Sequence, residues 1–415
     1  MTSGCCEDKT PKRPDDAGAP CCGDAAAIPP ASPATPCCDE PATTAPGPEA
    51  TPCCGGEAPK IGTPYRDVPT EGRLATLAGD VPKVSTQWRL GDWLGRALVR
   101  LGFRRMSYAI APGLYAVGRP GPDAPVLVSA NYKLSFDVLR RAMDGRDAWL
   151  LVLDTRGVNV WCAAGKGTFS TAELAHRVEA TRLPHVVRHR RLVVPQLGAP
   201  SVAAHEVERL TDFGVVFGPV RASDLPAFLE RGYEATPEMR RVTFGLADRL
   251  EVAPLELVEA ARPMALLSLL VLAATAWNGT ALSWASAWGV SAPVLLALWS
   301  GVLGGTVLFA ALLPWLPGRM FAVKGAALGA LVATAIWPTA VALLPDSSVA
   351  QSVALVLLTV AISSYLGANY TGCSTFTSLS GVKRELSVSI PTMAAALLVA
   401  AVLPGAALIL ERILR

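Results

Sequence analysis

The 415-residue sequence has few charged residues and lacks the motifs of several common protein classes. Lysine, arginine, aspartate and glutamate make up 17% of it, and the net charge is +3. This weak positive charge, without a stripe of basic and aromatic residues, argues against nucleic-acid binding. No G-x-G-x-x-G, P-loop or G-x-S-x-G sequence is present, which excludes the usual dinucleotide, phosphate-loop and α/β-hydrolase sites.

Histidine is also scarce, and its distribution does not indicate a metal site. The chain contains four, which are His176, His185, His189 and His205. None has the spacing of metal ligands, so we interpret each as structural or solvated.

The first 64 residues have almost no large apolar side chains and show no secretory signal, but they carry four pairs of adjacent cysteines. The pairs are Cys5 and Cys6, Cys21 and Cys22, Cys37 and Cys38, and Cys53 and Cys54. We expect residues 1–64 to be a disordered tail that stays in the cytoplasm, where thiols are reduced. Adjacent thiolates suit soft ions such as Hg(II), Cu(I) or As(III), so the tail is either a flexible arm for Hg(II) capture or a degenerate segment with exposed thiols.

Short apolar runs alternate with helical patterns in residues 65–255, which predicts an α/β domain with a parallel sheet of Rossmann type. The predicted strands are 125–129, 149–153, 192–194 and 213–217, and the predicted helices are 134–144, 171–182 and 201–210. Ligands bind such sheets beyond the carboxyl ends of the strands. Ser129, Asn131, Thr155, Cys162 and Gly198 are expected to cluster there. A further helical pattern, 87–100, lies either on the membrane surface or on the domain.

Cys162 follows one of these strands in a sequence that predicts a short helix. Asn159 is a favourable N-cap, and Gly165 or Gly167 would end the helix. Ser170 begins a second helix with capping-box spacing. The first helical turn favours thiolate over thiol, and a thiolate is a soft metal ligand, whereas the plainer interpretation is a small buried apolar residue.

The segment around Cys162 resembles the cap-helix signature of the mercury-methylating corrinoid proteins. It comprises Asn159, Val160, Trp161, Cys162, Ala163, Ala164, Gly165 and Lys166. Ser129–Asp137, 194–200 and 218–222 are similar to segments of the same family and of the corrinoid iron–sulfur protein. The resemblance implies a cobalamin cofactor whose cobalt has Cys162 as its lower ligand, with Ser129 beneath the corrin and near that cysteine. The D-x-H-x-x-G sequence, which supplies a histidine ligand in many cobalamin proteins, is missing.

The resemblance also implies a function. A protein of this family is expected to be a corrinoid-dependent methyltransferase that transfers a methyl group from methyl-Co(III) to Hg(II) and so forms methylmercury. The implied partners are a ferredoxin-like reductant with two 4Fe–4S clusters and a methyl donor of the tetrahydrofolate pathway. Two alternatives remain open: a corrinoid methyl carrier of a carbon-fixation (acetyl-CoA) pathway, and a non-enzymatic membrane metal-binding or efflux protein.

Residues 256–415 contain long apolar runs and predict a membrane domain of five transmembrane helices, at about 264–284, 292–315, 322–344, 349–367 and 390–411. Basic residues in two of the connecting loops predict a multi-pass protein of the inner (cytoplasmic) membrane, with the α/β domain and N-terminus cytoplasmic and the C-terminus outside. No charge is expected within a span, and glycine-rich stretches predict close helix packing. The cytoplasmic loop 370–385, which contains Cys373, is either a connection or a contact to the α/β domain or to a redox partner.

Overall fold

The computed structural model describes residues 65–277, 281–343, 348–372 and 379–414. It shows a mixed α/β domain followed by five helices that are long and apolar enough to cross a membrane. The fold class and the number of spans that the sequence predicts are therefore confirmed. The four cysteine pairs of the tail and Cys373 lie outside the described residues, so their predicted roles stay predictions.

A seven-stranded sheet forms the centre of the α/β domain. Its strands are β1 Thr70–Thr76, β2 Gly79–Val84, β3 Gly113–Val117, β4 Val126–Ala130, β5 Ala148–Leu153, β6 Arg191–Val194 and β7 Gly214–Phe217. The strand order is β1-β2-β3-β5-β4-β6-β7. β5, β4, β6 and β7 are mutually parallel, whereas β3 runs antiparallel to β5, and β1 forms an antiparallel hairpin with β2. The prediction of a parallel sheet is correct for four strands only, and the whole sheet is mixed.

The parallel strands reverse their order at β4. The chain passes from β4 outward to β5, and then crosses back to place β6 on the other side of β4. Such a topological switch point opens a crevice at the carboxyl ends of the two strands that flank it. The crevice is therefore expected at the ends of β4 and β6.

Helices cover both faces of the sheet. In chain order they are α1 Leu90–Arg100, α2 Lys133–Ala142, α3 Val160–Gly165, α4 Thr171–Ala180, α5 Ala204–Thr211 and α6 Leu225–Glu230. One apolar core joins the sheet to α3, α4 and α5, and it includes Phe169 and Phe213. The other core joins the sheet to α2 and α6 through Phe136 and Phe228.

Four buried charged side chains attach α1 to α2. Lys133 Nζ lies 2.7 Å from Asp92 Oδ1 and 2.7 Å from Asp137 Oδ2. Arg140 lies 2.8 Å from each of the same two carboxylates and also donates to the backbone oxygens of Ser85 and Gln87. Two cations and two anions thus balance one another in a place that excludes water. Burial raises the pKa of Asp92, but hydrogen bonds from Lys133 and from the Arg89 amide outweigh it, and the net pKa lies below its usual value.

The five apolar helices follow the sheet. They are α7 Leu246–Thr275, α8 Trp284–Leu303 with its continuation α9 Phe309–Leu312, α10 Phe321–Leu343, α11 Val349–Asn369 and α12 Leu379–Leu414. A π-helical turn, Gly304–Leu308, joins α8 to α9.

The helix α7 differs most from its predicted span. It begins at Leu246, about 18 residues before the predicted start at 264. The domain boundary that the sequence predicts after residue 255 therefore falls inside this helix. Its first half carries Asp248, Arg249, Glu251, Glu256, Glu259 and Arg262. All six precede residue 264, where the predicted span starts, so they leave the expectation of an uncharged span intact. The apolar run predicts only the second half of α7, and the first half is a charged helical extension of it. Arg249 donates to the carbonyl oxygens of Ala310 and Ala311 and so satisfies the end of α9.

Small residues let the apolar helices approach closely, as the sequence predicts. A Cβ added to Gly325 would lie 2.5 Å from the backbone oxygen of Ser363, and one added to Gly329 would lie 2.8 Å from Val360 Cα. The Ser363 hydroxyl donates to the Gly325 carbonyl at 2.9 Å. α10 and α11 are thus held at backbone contact distance.

Candidate functional site

The loop that leads from β5 to α3 is fixed by Asn131, at the end of β4. The Asn131 side chain is buried, and its Oδ1 accepts hydrogen bonds from the amides of Thr155 (3.1 Å) and Gly157 (2.9 Å). Its Nδ2 donates to Asp154 at 3.0 Å. The Thr155 hydroxyl donates to the Val158 carbonyl at 2.6 Å. One amide side chain therefore sets the path of the backbone into the short helix.

Gly157 makes this path possible. Its φ is +73°, a conformation that side chains with a Cβ rarely adopt. A Cβ at this position would also lie 3.1 Å from the Cβ of Ala109. The turn before α3 thus depends on the absence of a side chain at this residue.

The cap of α3 is the one that the sequence predicts. Asn159 is the N-cap, and its side chain accepts a hydrogen bond from the Cys162 amide at 2.9 Å. The helix ends at Gly165, and Gly167 follows with a φ of +72°. Val160 and Ala163 point into the core, whereas Trp161 is 46% exposed and Cys162 is half-buried. One side of α3, with Val160 and Ala163, therefore anchors the helix in the core, and the side with Trp161 and Cys162 is more accessible.

Tyr132 precedes α2, and burial is the main reason that its pKa is raised; Tyr108 and Cys162 add to the rise. The charges of Arg105 and Arg100 act in the opposite sense. Tyr132, Cys162 and the two arginines are therefore close enough to influence one another electrostatically.

The helix α4 begins with half of the predicted capping box. The Ser170 hydroxyl accepts from the Glu173 amide at 3.2 Å, as expected. The Glu173 carboxylate, however, accepts from the Asp154 amide at 2.8 Å and pairs with Arg177 at 2.6 Å. It therefore holds the end of β5 and the start of the loop before α3, a longer-range role that the spacing does not reveal.

A pocket of about 350 Å³ opens at the switch point between β4 and β6. Its walls are mostly apolar, with a few polar groups. Its lining residues are Arg100, Leu127, Val128, Ser129, Leu134, Ser135, Val138, Leu139, Asn159, Val160, Trp161, Val193, Pro195, Leu197, Gly218, Pro219, Val220, Ala222, Leu225 and Glu251. Size and composition match those of sites for organic ligands and cofactors.

One side of the pocket is formed by an ion pair between Arg100, at the end of α1, and Glu251, in α7. Burial lowers the pKa of Arg100 to about 10, with Arg96 acting in the same sense, so the group is cationic at neutral pH. Within the part of the chain that the structure describes, Arg100 Nε is buried and has no hydrogen-bond partner. This N–H is an available donor for a ligand with acceptor groups.

The structure brings most of the predicted site residues together, but in different roles. Ser129, Asn159, Val160 and Trp161 line the pocket, and Asn131 and Thr155 organise the loop behind it. Cys162, Ala163, Ala164, Gly165 and Lys166 belong to the same short helix but are not among the lining residues. Gly198 is buried where α3 meets the turn Gln196–Ser201, because a Cβ there would lie 2.5 Å from the Phe169 ring.

Sequence reasoning missed the contributions of α1, α2 and α7 to the pocket. Arg100 and Glu251 are 151 residues apart, so no local pattern connects them. In the described part of the chain no group of three His, Cys, Asp or Glu side chains is placed to hold a metal ion. The His189 ring lies 2.8 Å from the Ala124 carbonyl oxygen, a structural contact.

Comparison with known proteins relates the pocket domain to subunits of acetyl-CoA-forming complexes. Residues 104–229 match the family model of the CO dehydrogenase/acetyl-CoA synthase delta subunit. The chain is also 35% identical over 129 residues to the acetyl-CoA decarbonylase/synthase complex subunit gamma of Methanopyrus kandleri. It is 33% identical over 131 residues to the corresponding subunit of Archaeoglobus fulgidus.

These similarities cover only part of each protein. The aligned segment is 31% of this chain, and it spans 28% and 27% of the two relatives. The family match at residues 104–229 includes β3 to β7, α3 and most of the residues that line the pocket, and it ends before α7. The loop 370–385 lies outside this match, so its predicted contact with the α/β domain or with a redox partner stays a prediction.

Proposed function

We propose that the α/β domain binds a corrinoid at the β4–β6 pocket and serves as a methyl carrier in a methyl-transfer reaction. The observation that carries the proposal is the Asn159-capped helix α3, which carries Cys162 and whose first residues line a pocket at the topological switch point. The similarity to subunits of acetyl-CoA-forming complexes supports the carrier role. The sequence of α3 supports a corrinoid as the group that is carried.

The lining of the pocket fits such a cofactor. A corrinoid has a broad apolar ring with amide side chains at its edge, and the pocket offers apolar walls together with a few polar groups. Arg100 Nε is a buried donor that lacks a partner, and Ser129, Ser135 and Asn159 are further polar groups on the wall. When bound, the corrinoid supplies the cobalt-bound methyl group that is passed to an acceptor.

The residues of the chain would divide the work as follows. Cys162 would supply a thiolate ligand to the cobalt, and Asn159 would hold the amide of that residue and fix its position in the first helical turn. Asn131 would keep the loop before α3 in place, since it binds two of the loop amides. Trp161, which is exposed on the pocket wall, would cover part of the cofactor face and limit the entry of water.

Two acceptors are compatible with this carrier. The comparisons favour delivery to an acetyl-CoA synthase, because the relatives are subunits of complexes named for that activity. The resemblance of Asn159–Lys166 to the mercury-methylating corrinoid proteins favours Hg(II) as the acceptor, with methylmercury as the product. A ferredoxin-like reductant and a donor of the tetrahydrofolate pathway would belong to either cycle.

We place the protein in the inner membrane with the α/β domain on the cytoplasmic side. Lys324 lies at the end of the bundle that also holds Arg249, and its Nζ donates to the carbonyl oxygens of Leu313 and Leu316. Arg319 lies in the same connection. Basic residues of this kind concentrate on the cytoplasmic side of membrane proteins, which supports the assignment.

The test loads the full-length protein in detergent with methylcobalamin without oxygen and records the cobalt absorption spectrum. We expect stoichiometric binding and a spectrum that changes in Cys162→Ala. Lys166→Ala, on the same short helix, is the matched control and should keep the wild-type spectrum. A wild-type protein that binds no corrinoid would refute the carrier proposal, and an unchanged Cys162→Ala spectrum would refute the ligand assignment.

The acceptor is identified with the same loaded protein. One sample receives thiol-bound Hg(II) and is analysed for methylmercury, and a second receives acetyl-CoA synthase with CO and coenzyme A and is analysed for acetyl-CoA. Product in one sample only assigns the acceptor. Methylmercury that forms equally with Cys162→Ala would show that the protein site does not direct the reaction.

A further inference from the structure

The helix α1 has its apolar face on the outside of the domain. Leu90 is 84% exposed, Leu94 is 60% exposed, and Trp93 and Leu98 are exposed to about half. The face turned toward the domain carries Asp92, which is buried in the ion network with Lys133. An ordinary surface helix has the reverse arrangement, with its apolar stripe against the core.

The ion network explains how the helix is held this way. Asp92 is fixed by Lys133 and Arg140. Gly95 lets the Tyr108 ring approach the helix, since a Cβ there would clash with the Tyr108 hydroxyl oxygen. Val99 adds a buried apolar contact. The polar side of α1 is therefore the attached side, and four large apolar residues remain without cover in the described structure. Monomeric soluble proteins rarely expose such a contiguous patch without a partner.

Contacts at the end of α1 place this apolar face next to the membrane-spanning helices. Leu255 Cδ1 would lie 3.1 Å from a Cβ at Gly102. The guanidinium of Arg262 lies 5.5 Å from the centre of the Phe103 ring. Phe103 is itself 47% exposed, and it continues the apolar face beyond the end of α1. Arg262 immediately precedes the charge-free part of α7. Phe103 therefore lies at the level where α7 would enter the hydrocarbon layer of the membrane.

The charges around the apolar face complement an anionic surface. Residues 89–105 contain five arginines. Arg100 pairs with Glu251 at the pocket, and the other four are Arg89, Arg96, Arg104 and Arg105. The single acidic residue of this segment, Asp92, is buried and neutralised. An exposed apolar stripe that is flanked by arginines is the pattern of helices that lie in the headgroup region of a bilayer.

We propose that α1 and Phe103 form a membrane-interface anchor, which lies in the headgroup layer of the leaflet that faces the α/β domain and binds anionic phospholipid. The anchor continues the surface that the membrane-spanning helices already present to lipid. It fixes the α/β domain against the bilayer at a second place in addition to the start of α7. The inference depends on the bundle being in a membrane and is independent of the cofactor and the acceptor.

The test uses the full chain in lipid nanodiscs that contain phosphatidylcholine and phosphatidylglycerol. A photoreactive benzophenone amino acid replaces Leu94 in one variant and Leu77 in the other. Leu77 is the matched control, because it is 91% exposed in the turn of the β1–β2 hairpin and is also an apolar residue in the wild type. Both positions are exposed, so neither replacement disturbs packing. Irradiation and mass spectrometry then identify what is attached at each position.

We expect phospholipid adducts at position 94 in several-fold excess over position 77. The excess should grow when phosphatidylglycerol replaces part of the phosphatidylcholine. Equal, low lipid adducts at the two positions would overturn the proposal. So would a protein adduct at position 94 after irradiation in native membranes, because it would show that the apolar face binds a polypeptide instead.

Discussion

Removal of Lys133 should destabilise the α/β domain far more than removal of an exposed lysine. Its side chain is 5% exposed and makes two ion pairs of 2.7 Å, with Asp92 and Asp137. Lys133→Met leaves two buried carboxylates that share one cation, Arg140. Breaking a buried ion pair from one side typically costs about 3–5 kcal/mol. For a domain of this size that is a fall in melting temperature of roughly 6–20 °C.

The measurement is urea-dependent proteolysis of the full chain in detergent, scored by fragments that are cut within residues 65–245. Lys83→Met is the control, because Lys83 pairs with Glu71 at 3.2 Å on the surface, where an ion pair contributes less than about 1 kcal/mol. Adding Asp92→Asn to Lys133→Met should recover part of the loss, because it restores the charge balance. If Lys133→Met and Lys83→Met lowered stability equally, the network would not be the element that fixes α1.

Three further outcomes are expected. Asn159→Ala should lower the free energy of unfolding by about 1 kcal/mol, because the helix cap is lost, and it should alter the cobalt spectrum of the loaded protein. Asn159→Asp keeps a capping oxygen and should retain the spectrum. Because the pKa of Asp92 is depressed in the folded state, its stabilising contribution is present above the unfolded value of 3.8 and is lost as the pH falls below it. The urea midpoint should therefore drop as the pH falls below 3.8, and less steeply in Asp92→Asn. Gly157→Ala should cost about 1–2 kcal/mol by calorimetry, since its φ is positive, and Gly121→Ala, with open space around it, should cost less.

The sequence was most informative where buried runs and caps coincide. The strands β4 to β7 were predicted within one or two residues, because each is a short apolar run bounded by turn residues. The caps at Asn159 and Ser170 were predicted from residue type and spacing, and both side chains accept the expected amides. Local chemistry decides these features, so a local pattern reveals them.

The features that the sequence did not reveal depend on distant contacts. The strand β1 is largely exposed, and β2 contains Pro82, so neither shows the alternation or burial of a typical strand. The ion network joins Asp92 to residues more than 40 positions away, and nothing local distinguishes those charges from solvated ones. The pocket lies beyond the carboxyl ends of strands, where a ligand is expected, but of the five residues expected to cluster there only Ser129 lines it. Its wall from α7 is evident only in the three-dimensional structure.

That wall has a practical consequence for dissecting the protein. Glu251 belongs to the same unbroken helix as the first membrane span, and it pairs with Arg100 on the rim of the pocket. A soluble fragment that stops before Leu246 would keep the whole sheet and Cys162, yet it would lose one side of the binding cavity and leave Arg100 without its counterion. Affinities measured on such a truncation would describe an opened cavity. The first long apolar helix is therefore part of the pocket wall as well as a candidate membrane span.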